Sequence, residues 1–227
     1  MKSLLAELNM RYFNSANGLS LIFLTSCQKH ELVYSCDPAI NMQVIKNMQQ
    51  IKDMEAGSWQ AINDLEYQRG VYRAFSSEQK LSLWMHKLQN ALTLTWTDEE
   101  KAHIETLISF LSIDVLEGDI DDITYIKLYK WINYGLEVLK WNQEIIYSLV
   151  YTPQLLSSNK KIPATYFVTA KTRSEDIGRK TCNCGDAHGV LSCYHPYASY
   201  NCHVEDCEPG RGCGMFWAEK CWGVCYA

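Results

Sequence analysis

Between residues 39 and 151 apolar positions recur every three or four residues, the spacing of helices that each bury one face. Val44, Met48 and Ile51 form one stripe of a helix expected over 41–54. Ser76-Ser77-Glu78 opens another, an N-cap followed by an acidic first turn, and Leu81, Trp84, Leu88 and Leu92 then repeat at helical spacing. Thr97-Asp98-Glu99-Glu100 is a capping box, in which Thr97 caps the amide of Glu100 and Glu100 reaches back. The helix after it carries Ile104, Leu107, Ile108, Leu111 and Val115 and is expected to stop at Gly118. The next begins near Asp121-Asp122 with Leu128, Trp131, Ile132 and Leu139, and a last one covers about 142–149, before Pro153. Four or five such helices with short links predict a compact bundle. The aromatic stripe of Trp84, Tyr129, Trp131 and Trp141 is expected to be core rather than a ligand-binding face.

The pattern changes at both ends. Residues 1–26 read as a lipoprotein-type signal segment, with Lys2 and Arg11 ahead of a short apolar run over 19–24. Leu24-Thr25-Ser26-Cys27 looks like a bacterial lipobox, which makes Cys27 the candidate lipidation site. A start at Met10 would give a more ordinary signal; the plainer alternative is a buried N-terminal helix with an incidental cysteine. Residues 27–38 are a polar tether that carries Cys36. Nothing later is long and apolar enough to span a bilayer.

After the bundle, 39–151, comes an expected linker over 152–181. It contains a β-like patch, Tyr166-Phe167-Val168, and ends in Arg179-Lys180, a candidate processing site or simply a solvated connector. Residues 182–227 hold eight of the ten cysteines: Cys182, Cys184, Cys193, Cys202, Cys207, Cys213, Cys221 and Cys225. A segment this short buries little apolar surface and needs staples. Zinc would need two close ligand pairs, which this spacing lacks, although His188, His195 and His203 are available. Disulfides fit better and place the chain in an oxidising compartment, each contributing on the order of 2–4 kcal/mol. Cys182 and Cys184 are too close to bond each other, and the remaining connectivity stays open. The fold class expected is therefore mainly α, an amphipathic helical bundle followed by a small disulfide-rich C-terminal mini-domain. Tyr194, Tyr197, Phe216, Trp217 and Trp222 are more aromatic surface than such a mini-domain hides, so they are candidate envelope contacts; packing on the disulfides is the alternative.

The cysteine order of the tail, with Cys182-Asn183-Cys184, Gly212-Cys213-Gly214 and the terminal Cys221-Trp222-Gly223-Val224-Cys225, resembles the bacteriocin fulvocin C and the fulvocin C-related proteins. Ser76-Ser77-Glu78-Gln79-Lys80 and Thr97-Asp98-Glu99-Glu100-Lys101 are similar to the helical part of those relatives, as is the lipoprotein-like start. The resemblance implies an exported antibacterial protein acting on the envelope of related cells.

Two functions follow as expectations. One is an exported, lipid-anchored, bacteriocin-like protein whose stapled tail acts on or binds the envelope of competing bacteria. The other is a non-toxic surface lipoprotein whose tail binds glycans or proteins. The partners expected are the membrane, through the anchor, and an envelope or surface receptor. Net charge of −5 argues against nucleic acid. No nucleophile elbow, zinc-protease motif or phosphate loop appears, so neither an enzyme nor a cofactor or metal is expected. Asp119, Asp121 and Asp122 read as a turn and helix start, and His86 and His103 as surface residues.

Overall fold

Polar caps set where each helix begins. In this computed structural model, which describes residues 33–35, 37–118, 120–163, 184, 193–194, 201–204, 210–221 and 223–226, Asp37 accepts the amides of Ala39 and Ile40. With Pro38 in the first turn it opens α1 (Pro38–Lys46). The helix expected over 41–54 is interrupted at Asn47, whose backbone leaves helical geometry, and resumes as α2 (Met48–Lys52). Next come α3 (Ala56–Gln60) and α4 (Leu65–Ala74), the latter capped by Asp64. Complete capping boxes start α5 (Ser77–Leu92) and α6 (Asp98–Phe110). The stretch expected to run unbroken to Gly118 is instead two helices. Ser112 turns extended and caps α7 (Ile113–Glu117) through the amide of Val115. Asp121 and Asn142 then cap α8 (Asp122–Glu137) and α9 (Gln143–Val150).

The chain is mainly helical, with a C-terminal region held by disulfides. Val44, Ile51, Leu83, Leu88, Ile104, Leu107, Leu128 and Ile146 are fully buried, and each lies on the apolar face of its helix. Trp84, Trp131 and Trp141 are core residues, as their spacing predicts. Tyr129 is not: it is 49% exposed, because one residue past Leu128 turns the side chain about 100° away from the core. Part of the expected linker also packs. Leu156 and Ile162 are buried, and the Ile162 amide donates to Ser148 Oγ at 3.2 Å.

Among the described residues the tail forms two short antiparallel ribbons. β1 (Asn201–Val204) pairs with β4 (Gly223–Tyr226), placing Cys202 opposite Cys225. β2 (Arg211–Cys213) pairs with β3 (Glu219–Lys220) around a single 3₁₀ turn, Met215–Trp217. Two-stranded ribbons are marginal in water by themselves. Here all the described residues fall in one compact unit. Met215, Phe216, Trp217 and Ala218 belong to the same apolar core as the helices. Over residues 210–221, therefore, the tail does not fold as a body apart from the bundle.

Candidate functional site

Three bridges staple the described part of the tail. Cys184–Cys202, Cys193–Cys225 and Cys213–Cys221 have Cα separations of 5.9, 5.5 and 5.2 Å, inside the range a disulfide spans. Cys202 and Cys225 face each other in register, yet each bonds a different partner. The two bridges thereby tie Cys184 and Cys193 onto one ribbon, and Cys184 also exchanges backbone hydrogen bonds with Gly223. The sulfurs of Cys184, Cys193 and Cys225 lie within 4.8 Å of one another. Thiolates there would suit a soft metal, but bridged sulfurs are not thiolates. Cys182 and Cys207 lie outside the described residues, as do Cys27, Tyr197, Trp222 and the Arg179-Lys180 pair.

Phe216 and Trp217 correct the expectation of envelope contact. Both are buried, at 0% and 1% exposure. Four short strands have too little surface to cover two large rings, so the helices cover them. Trp217 packs edge-on against Trp59 and Tyr72, with ring centroids 5.9 and 5.1 Å away, and the Arg69 guanidinium lies 4.7 Å over its ring. Phe216 meets Trp84 edge-on at 5.2 Å. Tyr72 donates its hydroxyl to the Phe216 carbonyl at 3.1 Å and accepts from the Trp84 indole at 3.3 Å. Burial holds that phenol well above its ordinary pKa.

The backbone that delivers these rings is unusual. Phe216 and Trp217 both have φ of 54°, in the left-handed region that bulky residues rarely occupy. Gly214, at φ 66°, makes the turn before them, and Glu219 accepts the Met215 amide at 3.1 Å. Arginines pin both ends. Arg69 donates to the Gly212 carbonyl at 3.0 Å, and Arg73 to the carbonyls of Arg211 at 2.8 Å and Tyr34 at 2.9 Å. Arg211 in turn donates to Gly118 and Ala218 carbonyls at 2.6 and 2.7 Å. α4, which supplies Arg69, Tyr72 and Arg73, is not among the helices that the apolar spacing predicts. A partial signal is present in Asp64 as a cap and in Val71, Tyr72 and Phe75 at helical spacing.

Tyr194 is half-buried against Tyr147, 5.2 Å between ring centroids. Among the described residues the exposed large apolar side chains lie elsewhere, on the helices. On α8, Ile123 and Ile126 are 67% and 52% exposed and Tyr129 and Tyr134 are also exposed, as is Val138 just past its end. His86 is exposed, as expected, whereas His103 stacks flat on Trp131 at 4.6 Å, and its Nε2–H donates to the Trp131 carbonyl 2.9 Å away. Burial lowers its pKa. Lys87 is fully buried, and its amine donates to the carbonyls of Leu149 at 2.6 Å and Thr152 at 2.7 Å, capping the end of α9. Compared with known proteins, the chain matches no family model, no curated protein and no solved structure.

Proposed function

We propose that this chain is an exported protein of the bacterial envelope that works by binding, as one intact stapled body. The observation that carries the reading is the set of bridges Cys184–Cys202, Cys193–Cys225 and Cys213–Cys221, which persist in oxidising surroundings and are rare in the cytoplasm. The lipobox-like run ending at Cys27 supports attachment through lipid. The burial of Phe216 and Trp217 among helices speaks against a tail that acts after release, since cleavage near Arg179-Lys180 would strip two large rings from the core. The bacteriocin-like activity that the fulvocin C resemblance implies would then be a property of the whole chain.

Mass spectrometry of protein from the host envelope, with thiols labelled before and after reduction, tests location. The expected result is oxidised tail cysteines and a lipid-shifted peptide beginning at Cys27. Reduced cysteines on an unprocessed chain would end the export reading. The oxidised full chain is then applied to related strains. Binding without killing matches a surface-binding protein, killing matches a bacteriocin-like one, and neither would sink both.

A further inference from the structure

We infer that the Cys213–Cys221 bridge gates the folding of the helical body: the bundle completes its core only once this bond has formed. The inference rests on the export reading for its biological meaning, but its physical content stands on the fold alone.

The bridge lies at the neck of the segment that fills the core. Cys213 and Cys221 are eight residues apart, and between them lie Phe216 and Trp217, which no helix supplies yet three helices need. Trp59 of α3, Tyr72 of α4 and Trp84 of α5 all lose their ring partners if this loop withdraws. The Tyr72 hydroxyl and the Tyr151 carbonyl also lose hydrogen-bond partners in a buried place. The loop does not hold its shape by local preference. Two consecutive bulky residues at φ 54° persist only where the surroundings over-determine them. Closing the loop covalently removes most of the alternatives open to it.

Both sulfurs sit beside a guanidinium. Arg73 Nη2 is 3.5 Å from Cys221 Sγ, and Arg69 Nη1 is 3.8 Å from Cys213 Sγ. Once the bond has formed, these two α4 arginines hold the bridge against the bundle. The step needs an oxidant, and a protein thiol oxidoreductase in its disulfide form is the class that fits. One cysteine thiolate attacks that disulfide and expels a thiolate, giving a mixed disulfide. The second cysteine then attacks, the Cys213–Cys221 bond forms, and the oxidoreductase leaves as a dithiol carrying both electrons and both protons. Before this exchange the helices lack part of their core, a loose state suited to passage across a membrane. After it the body is closed.

The test uses the full chain with Cys213→Ser and Cys221→Ser together, every other cysteine left in place and oxidised. Loss of the bridge should lower the thermal midpoint of the helical circular dichroism signal by roughly 5–10 °C. It should also shift tryptophan emission to the red as Trp59 and Trp84 gain water. Unchanged emission would overturn the inference even with a lowered midpoint, because a bridge that only restricts the unfolded chain also lowers the midpoint. If the serine pair does not fold at all, the wild-type chain decides during oxidative refolding. Samples are alkylated at intervals, and amide exchange in α5 is compared with the yield of the Cys213–Cys221 linked peptide. Protection rising in step with that peptide is expected; full protection in molecules alkylated at both cysteines would overturn it. Reduced cysteines in host-derived protein would defeat the export reading and leave this coupling standing, so the two failures are distinguishable.

Discussion

The indole N–H of Trp217 donates to the carbonyl of Tyr151 at 3.0 Å. That bond joins the 3₁₀ turn of the tail to the residue that ends α9. It satisfies a buried donor and a carbonyl at a helix end, which would otherwise each lose a partner on leaving water. Trp217 is thus read by the helical body as a core residue. Its removal should be felt far from the tail.

Trp217→Ala should destabilise the helical signal by about 3–5 kcal/mol, the cost of deleting a large buried ring and leaving a cavity. Phe216→Ala should fall in the same range. A tail that merely hung from the bundle would show neither loss. Chemical denaturation followed by circular dichroism measures both, and a change under about 0.5 kcal/mol, the level of ordinary surface substitutions, would refute this packing.

Gln79 links α5 to the end of α2 and the turn that follows it. Its carbonyl oxygen accepts the Ser76 amide at 3.0 Å, while its nitrogen donates to the carbonyls of Ile51, Lys52 and Met54 at 2.9, 3.2 and 3.1 Å. Gln79→Glu keeps the capping box but turns a carboxylate toward three carbonyl oxygens. It should cost about 1–3 kcal/mol, although glutamate is the usual choice at this position of a capping box. Denaturant midpoints for the two proteins decide; equal midpoints would show that the carbonyl contacts contribute nothing.

The capping signals were the most legible part of the chain, because each depends on residues within three positions of one another. Thr97 with Glu100, and Asp121 before α8, act as their sequence implies. The breaks at Asn47 and Ser112 were hidden, since apolar spacing continued straight through them. α4 was passed over because its buried face includes Gln68 and Gly70, residues that do not read as apolar. Gly70 is there for closeness: a Cβ would come within 2.9 Å of Val44 Cγ2 on α1. Of the tail, the staples at Cys184, Cys193, Cys202, Cys213, Cys221 and Cys225 were foreseeable from composition. Their partners were not, because pairing depends on strand register. The burial of Phe216 and Trp217 was invisible for the same kind of reason. It is a contact between residues more than 100 positions apart in sequence, such as Tyr72 and Phe216, separated by 144.

Gly214 is set where no other residue fits. At φ 66° it occupies the left-handed region, and a Cβ there would strike the Glu219 carboxyl group. Gly214→Ala should therefore cost about 2–4 kcal/mol, combining backbone strain with an overpacked contact. Gly57 has open space where its Cβ would stand, so Gly57→Ala should be neutral or slightly stabilising. Side-by-side thermal melts of the two variants check the contrast; similar losses in both would refute the role of the turn.

Lys87 makes stability depend on pH. Burial holds its amine well below the ordinary lysine value of 10.5. Between the two values the unfolded chain binds a proton that the folded chain does not, so stability rises with pH across that window. His103, lowered by burial, adds a rise of the same sign, but only below its ordinary value of 6.5. Tyr72 and Tyr151 are raised, so they lower stability only above their ordinary value of 10.0. Between about pH 7 and pH 9.5 the lysine is thus isolated from these three groups, and its contribution there has a single sign, stability rising with pH. Lys87→Met removes the titrating group and also the donors to the Leu149 and Thr152 carbonyls. The variant should be less stable than the parent at the alkaline end and should lose most of the slope. Denaturation at four pH values across this range gives both slopes, and a Lys87→Met slope as steep as the parent's would assign the pH dependence to another group.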